Sequence, residues 1–177
     1  LFPFNSPATM SADDVAGYRG DAVVVNKEGE RFVDETSDRF TLSGAIMEQT
    51  DQLVYMLSDK NQIEFYKGPE FEEVYLERGQ LLKADSLDGL AEEIGCSADT
   101  LKETLDQFNA NVDAQAEDEF GRYYYTDNSK VLEGPFYAAP CTWAAHITLG
   151  GVVVDSDNHV LSESGEVING LYAVGEV

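Results

Sequence analysis

Trp143-Ala-Ala-His-Ile-Thr-Leu-Gly-Gly-Val-Val-Val-Asp155, closing on Gly170-Leu-Tyr-Ala-Val-Gly-Glu-Val177, is where pattern and chemistry are densest. Val152, Val153 and Val154 form a short β-branched run between Gly150-Gly151 and Asp155-Ser-Asp-Asn158, which predicts a strand between two turns. Two adjacent glycines before a strand admit another backbone, or a flat ligand, where a β-carbon would collide. A second apolar run, Leu171-Tyr-Ala-Val174, follows the turn signal Asn169-Gly170. It stops at Gly175-Glu176-Val177 with no cap, polar tail or turn, as expected of a strand cut from a longer chain.

Working outward, 177 residues suffice for one ordinary domain with a buried core. The balance of 34 Asp and Glu against 11 Lys and Arg gives a net charge of −23. That excludes nucleic acid and anionic membrane as expected partners, since phosphate contacts need clustered cations. It also makes any Arg or His at an anion site more necessary. Cys96 and Cys141 make neither a disulfide framework nor a metal motif and are expected as buried or partly buried thiols. No apolar run approaches the ~20 residues of a transmembrane helix. The chain begins at Leu1 rather than Met, which leaves the compartment open, cytoplasmic or extracytoplasmic.

In chain order, Phe2-Pro-Phe-Asn-Ser-Pro7 predicts an extended entry. Ser11 to Tyr18 suits a short helix. Ala22-Val-Val-Val-Asn26 predicts a buried strand, with Arg31-Phe-Val33 returning beside it as a hairpin. A helix from about Leu42 to Gln49 precedes a strand at Leu53 to Leu57, and Asp59 caps a short helix. Glu70 to Gly79 is ambiguous, its Phe71, Val74 and Tyr75 being equally compatible with a short helix, and Gln80 to Ala84 fits a short strand. Ser86 caps an apolar stripe of Leu87, Leu90, Ala91 and Ile94, which Gly95 ends. Ser97 or Asp99 opens the next, with Leu101, Leu105, Phe108 and Val112. Tyr123 to Tyr125 fits a strand or an aromatic patch. Pro135 to Pro140 leads back to the terminal region.

The order His146-Ile-Thr148-Leu-Gly150-Gly151, then Gly170-Leu-Tyr-Ala-Val-Gly175-Glu176, resembles the flavoprotein family of soluble fumarate reductases, which includes urocanate reductase and 3-ketosteroid dehydrogenases. The resemblance extends through Val25-Asn-Lys-Glu-Gly-Glu-Arg-Phe-Val-Asp-Glu35, the paired helices, Phe120-Gly-Arg122 and Gly134-Pro-Phe-Tyr137. It implies an α+β fold: a small mixed or antiparallel sheet with packed helices forming a capping domain, plus terminal strands that belong to an FAD-binding domain. The implied division is 1–20 as connection, 21–133 as the substrate-closing cap, and 134–177 as the return segment. The dinucleotide fingerprint Gly-x-Gly-x-x-Gly is absent from these residues, so FAD is expected in the full-length protein and not on this fragment alone.

The same resemblance carries the site. Arg39, closing Glu35-Thr-Ser-Asp-Arg39, matches the Arg that protonates the substrate as the flavin delivers hydride. Arginine's pKa lies above ~12, so it can act as an acid only when held rigidly against a carbon becoming carbanionic. Residues alone would read Glu35 and Arg39 as an exposed ion pair. His146 matches the substrate-binding His, and Thr148 either orients that His or closes the turn. Gly150 and Gly151 match main chain lying against the flavin, and Glu176 the Glu that binds its ribityl hydroxyls; Ile147 departs from the second His of fumarate reductases, losing the imidazole and leaving only main chain to approach the flavin. His159 reads as a surface-turn residue. Asp34 and Glu35 have no His or Cys near them in sequence, so no metal site is expected there.

The N-terminal segment departs from the dicarboxylate pattern. Phe2 stands where fumarate reductases have His, and Val15 and Ala16 stand where Thr and Glu would grip a carboxylate. Phe2 and Phe4 become candidate walls for a less charged or aromatic acceptor. The expected function is the cap of an FAD-dependent reductase acting on an activated C=C bond, with a substrate other than fumarate. The alternatives are a non-catalytic α+β module that binds a ligand or partner, and the reverse dehydrogenation. Expected partners are a small unsaturated molecule, the FAD-binding domain of the same polypeptide, and a haem or other electron-donor domain.

Overall fold

A computed structural model of the chain describes residues 2–5, 21–66, 69–144 and 150–175. The elements in chain order are β1 (Phe2–Asn5), β2 (Val23–Asn26), α1 (Arg39–Met47), β3 (Val54–Asp59), α2 (Lys60–Tyr66) and α3 (Pro69–Glu77). They continue as β4 (Leu82–Ala84), α4 (Leu87–Ile94), α5 (Ala98–Ala114), β5 (Phe136–Ala144), β6 (His159–Leu161) and β7 (Val167–Tyr172). The chain divides into two compact units, residues 1–144 and 145–177.

Ala22 to Val25 is apolar at successive positions because both faces of its sheet are covered. Val23 and Val25 join one core with Tyr55, Leu57, Ala138, Leu90, Leu101 and Phe108. Val24 points the other way, into a core with Met56, Ala139, Leu42, Ile46 and Ile63. Helices α4 and α5 therefore supply one face and α1 and α2 the other. A strand buried on both sides loses the polar alternation of a half-exposed one.

The organising strand is β5, which the sequence reading took only as a lead-back segment. It pairs antiparallel with β3 along six positions, from Val54↔Cys141 to Asp59↔Phe136. Its other edge is shared: β4 pairs near Phe136 and β1 near Ala144. The sheet order is β1-β5-β3-β2, with β4 also on β5. Pro140 and the small Ala138 and Ala139 hid a strand that becomes buried only when three others meet it. The segment 136–144 thus sits in the same sheet as the strands expected for the cap.

Helix signals were accurate where caps were explicit. Ser86 Oγ accepts from the Gly89 amide, Gly95 closes α4 at φ +86°, and Ser97 rather than Asp99 caps α5. Asp59 and Gln62 form a reciprocal box: the Gln62 amide donates to Asp59 Oδ1 and the Asp59 amide to Gln62 Oε1, each at 3.0 Å. The third helical element, Glu70 to Gly79 in the sequence reading, is α3.

Three local expectations fail. Arg31 to Val33 is not a returning strand, and β2 pairs with β3 instead. Asn26 Oδ1 takes the Glu28 and Glu30 amides, closing a tight turn, and Arg31 is drawn inward by charge. Val152 to Val154 is not a strand; only Val154 makes a bridge, to Val160, so the ladder is too short. Asn169-Gly170 is not a turn but lies inside β7, where Gly170 at φ +78° accompanies a register shift against β6. A glycine with positive φ in a strand is a usual mark of a bulge. The Cys96 thiol is half-buried and the Cys141 thiol buried.

Candidate active site

Asp38 creates the place where Arg39 stands. Its carboxylate accepts the Phe40 amide at 2.8 Å, the Thr41 amide at 3.2 Å and the Thr41 hydroxyl at 2.6 Å, so α1 begins at Arg39. The Thr41 hydroxyl first, then the two amides, hold the Asp38 pKa below the ordinary carboxylate range. Arg39 is exposed, while Leu42 and Ile46 on the same helix are buried. A cation at a helix N-terminus opposes the helix dipole. The residue therefore does not serve helix stability; it stands exposed beside the carboxylate of Asp38 that caps the helix. Phe40, beside it, is 61% exposed.

The partner that residue spacing proposed for Arg39 faces elsewhere. Glu35 has no exposed side-chain surface and does not form the exposed pair expected with Arg39. Its Oε1 accepts from Arg31 Nε at 2.9 Å and from the Val24 amide at 3.1 Å. Its Oε2 accepts from Arg31 Nη2 at 2.7 Å and from Arg122 Nη1 at 2.9 Å. Arg31 Nη1 reaches Asp118 at 2.7 Å, and Arg122 also donates to the carbonyls of Ala22 and Tyr124. Both guanidinium groups lie 5.0 Å from the Phe108 ring centre. Burial works against the Arg31 charge, but Glu35 and Asp118 outweigh it and raise its pKa above the usual arginine range. Sequence reading quoted these residues as a motif but missed that they meet; the i,i+4 spacing of Arg31 and Glu35 was the available signal.

The other predicted residues divide sharply. Phe2 lies on β1, which pairs with the far end of β5 through Phe2↔Ala144, and α1 packs against both strands. The backbone thus brings the helix of Arg39 alongside the strand of Phe2. Gly150 and Gly151 are exposed with φ of +125° and +141°, conformations that side chains rarely adopt. A β-carbon at Gly150 would meet nothing within 4 Å, so the main chain is open to solvent here. His146, Ile147, Thr148 and Glu176 lie outside the described residues. His159 is half-buried, with its ring 4.7 Å from that of Tyr172 and Nδ1 3.0 Å from Asp155 Oδ2. Asp155, Asp157 and His159 hold ligand-type atoms within 4.8 Å of one another, a grouping that the bonds of their own turn account for.

With this geometry in hand, residues 11–177 match the family described as FAD binding domain. The chain belongs to that family. Over 157 residues it is 41% identical to an NADH:acrylate oxidoreductase of Vibrio harveyi, covering 88% of this chain and 15% of that protein. It is 32% identical to a urocanate reductase of Eggerthella lenta, covering 88% of this chain and 26% of that protein. A solved open conformation of a flavocytochrome c3 fumarate reductase superposes with a TM-score of 0.81 at 28% identity, over 99% of this chain and 30% of the other. The flavoprotein chain thus spans roughly a sixth to a third of such proteins. The resemblance read from its motifs and the α+β fold are both borne out, and FAD is the cofactor of its family. Among its described residues no helix is long and apolar enough to cross a membrane.

Proposed function

We propose that this chain is the capping portion, with its connections, of an FAD-dependent reductase of an activated carbon–carbon double bond. The observation that carries the reading is Arg39: an exposed guanidinium at a helix start, rooted through Glu35 in the core, in a chain of an FAD-binding family. FAD, when bound and reduced, supplies a hydride to one alkene carbon. Arg39 gives a proton to the other carbon, so that hydride and proton together add across the double bond. The rigid root of α1 supplies the fixed geometry that so weak an acid requires. Residues 21–133 act as the lid that carries Arg39 over the substrate and excludes water.

The substrate is a small α,β-unsaturated monocarboxylate of the acrylate type. Support comes from the 41% identical acrylate oxidoreductase and from Phe2, Val15 and Ala16, which replace the groups expected to grip a second carboxylate. His146 and Thr148 hold the carboxylate; Gly150, Gly151, Ile147 and Glu176 hold the flavin. Electrons arrive from a haem or other donor domain elsewhere in the polypeptide.

The test is the intact polypeptide, purified and assayed with a reduced viologen dye. The expected result is a yellow protein that reduces acrylate faster than fumarate. A colourless intact protein, or one that leaves acrylate untouched, would overturn the reading.

A further inference from the structure

We propose that Glu35, clamped by Arg31 and Arg122, is a positioning residue for Arg39, an inference that rests on the reading of Arg39 above. Two cations and two carboxylates, Arg31, Arg122, Glu35 and Asp118, are withdrawn from solvent at one point of the core. Stability alone does not explain such a group. Taking charges out of water is costly, and well-packed apolar side chains in their place are often as stable or more so. What the polar group provides is direction: Glu35 accepts four hydrogen bonds from fixed neighbours, two from Arg31, one from Arg122 and one from the Val24 amide.

From Glu35 to Arg39 the chain has little slack. Asp34 Oδ1 takes the Thr36 amide and hydroxyl, the Ser37 amide donates to the Asp34 carbonyl, and Asp38 caps α1. Arg122 extends the clamp to β2 through the Ala22 carbonyl, and Asp118 holds its own turn through the Phe120 and Arg122 amides. The start of α1 is thereby fixed against β2 and α5, while the guanidinium of Arg39 stays at the surface. A misplacement of about 1 Å at a reacting group can cost about 100-fold in rate. The clamp is the device in this fold that prevents one.

The experiment compares Glu35→Gln, Asp118→Asn and Arg39→Lys in the intact, FAD-loaded enzyme, with Asp59→Asn as a control for loss of a buried carboxylate elsewhere. Glu35→Gln is expected to lower kcat for acrylate about 10- to 100-fold with KM and flavin content near normal. It should also raise the solvent isotope effect on kcat and speed amide exchange over residues 36–42. Asp118→Asn, which keeps the turn and weakens the hold on Arg31 and on the Tyr125 hydroxyl, should show the same pattern more weakly and serves if Glu35→Gln does not fold. Asp59→Asn should lower thermal stability without either signature. If Glu35→Gln and Asp118→Asn match the control while Arg39→Lys is inactive, the positioning proposal fails and the acid stands. If Arg39→Lys turns over normally, the acid reading itself fails.

Discussion

Glu35 and Arg122 lie 87 residues apart in the chain and meet at 2.9 Å, each with its side chain fully withdrawn from solvent. Breaking such a pair from one side leaves a buried charge uncompensated, which typically costs about 3–5 kcal/mol. Glu35→Leu should therefore destabilise the protein by about that amount in urea unfolding. Replacing Arg122 by Met in the same background, which leaves Arg31 paired with Asp118, should restore part of the loss. A double variant as unstable as the single one would contradict the electrostatic origin.

Arg39→Lys should reduce kcat in the intact enzyme by about 10²- to 10⁴-fold, the range of general acid catalysis, and leave flavin content unchanged. Lysine keeps the charge but loses the planar, rigid donor. Steady-state kinetics and the flavin absorbance of the same preparation check both halves.

Asp38→Ala should lower the melting temperature at neutral pH by roughly 2–4 °C, because it exposes the first amides of α1. The folded pKa of Asp38 is depressed, so its contribution is present above the ordinary carboxylate pKa and is lost as pH falls through the folded value. Melting curves of the two proteins should accordingly converge in strong acid.

Tyr125 should ionise late. Burial first, then the Asp118 charge, push its pKa up to about 12, and its hydroxyl donates to the Arg122 carbonyl at 3.1 Å. Its raised folded pKa gives stability that is complete below the ordinary tyrosine value and lost as pH rises through about 12. An ultraviolet phenolate titration should show a late step that Tyr125→Phe removes.

Gly150→Ala should lower the FAD content of the intact enzyme, since φ of +125° strains any side-chain-bearing residue by about 1–3 kcal/mol. Absorbance of the purified variant gives the occupancy. The 177-residue chain alone, mixed with FAD and then freed of unbound FAD by gel filtration, should come out colourless.

The sequence by itself determined the family, the caps and stripes of α4 and α5, and the candidacy of Arg39, because these depend on neighbours a few residues away. Ser86, Ser97 and Gly95 state helix ends locally, and Leu101, Leu105, Phe108 and Val112 state a face by spacing alone. Tertiary structure alone decided that Phe136–Ala144 is the central strand, since its partners come from residues 2–5, 54–59 and 82–84. It also decided that Glu35 turns from Arg39 toward Arg31 and Arg122: burial makes an unpaired charge so costly that the carboxylate takes the partners the core supplies, however distant in sequence.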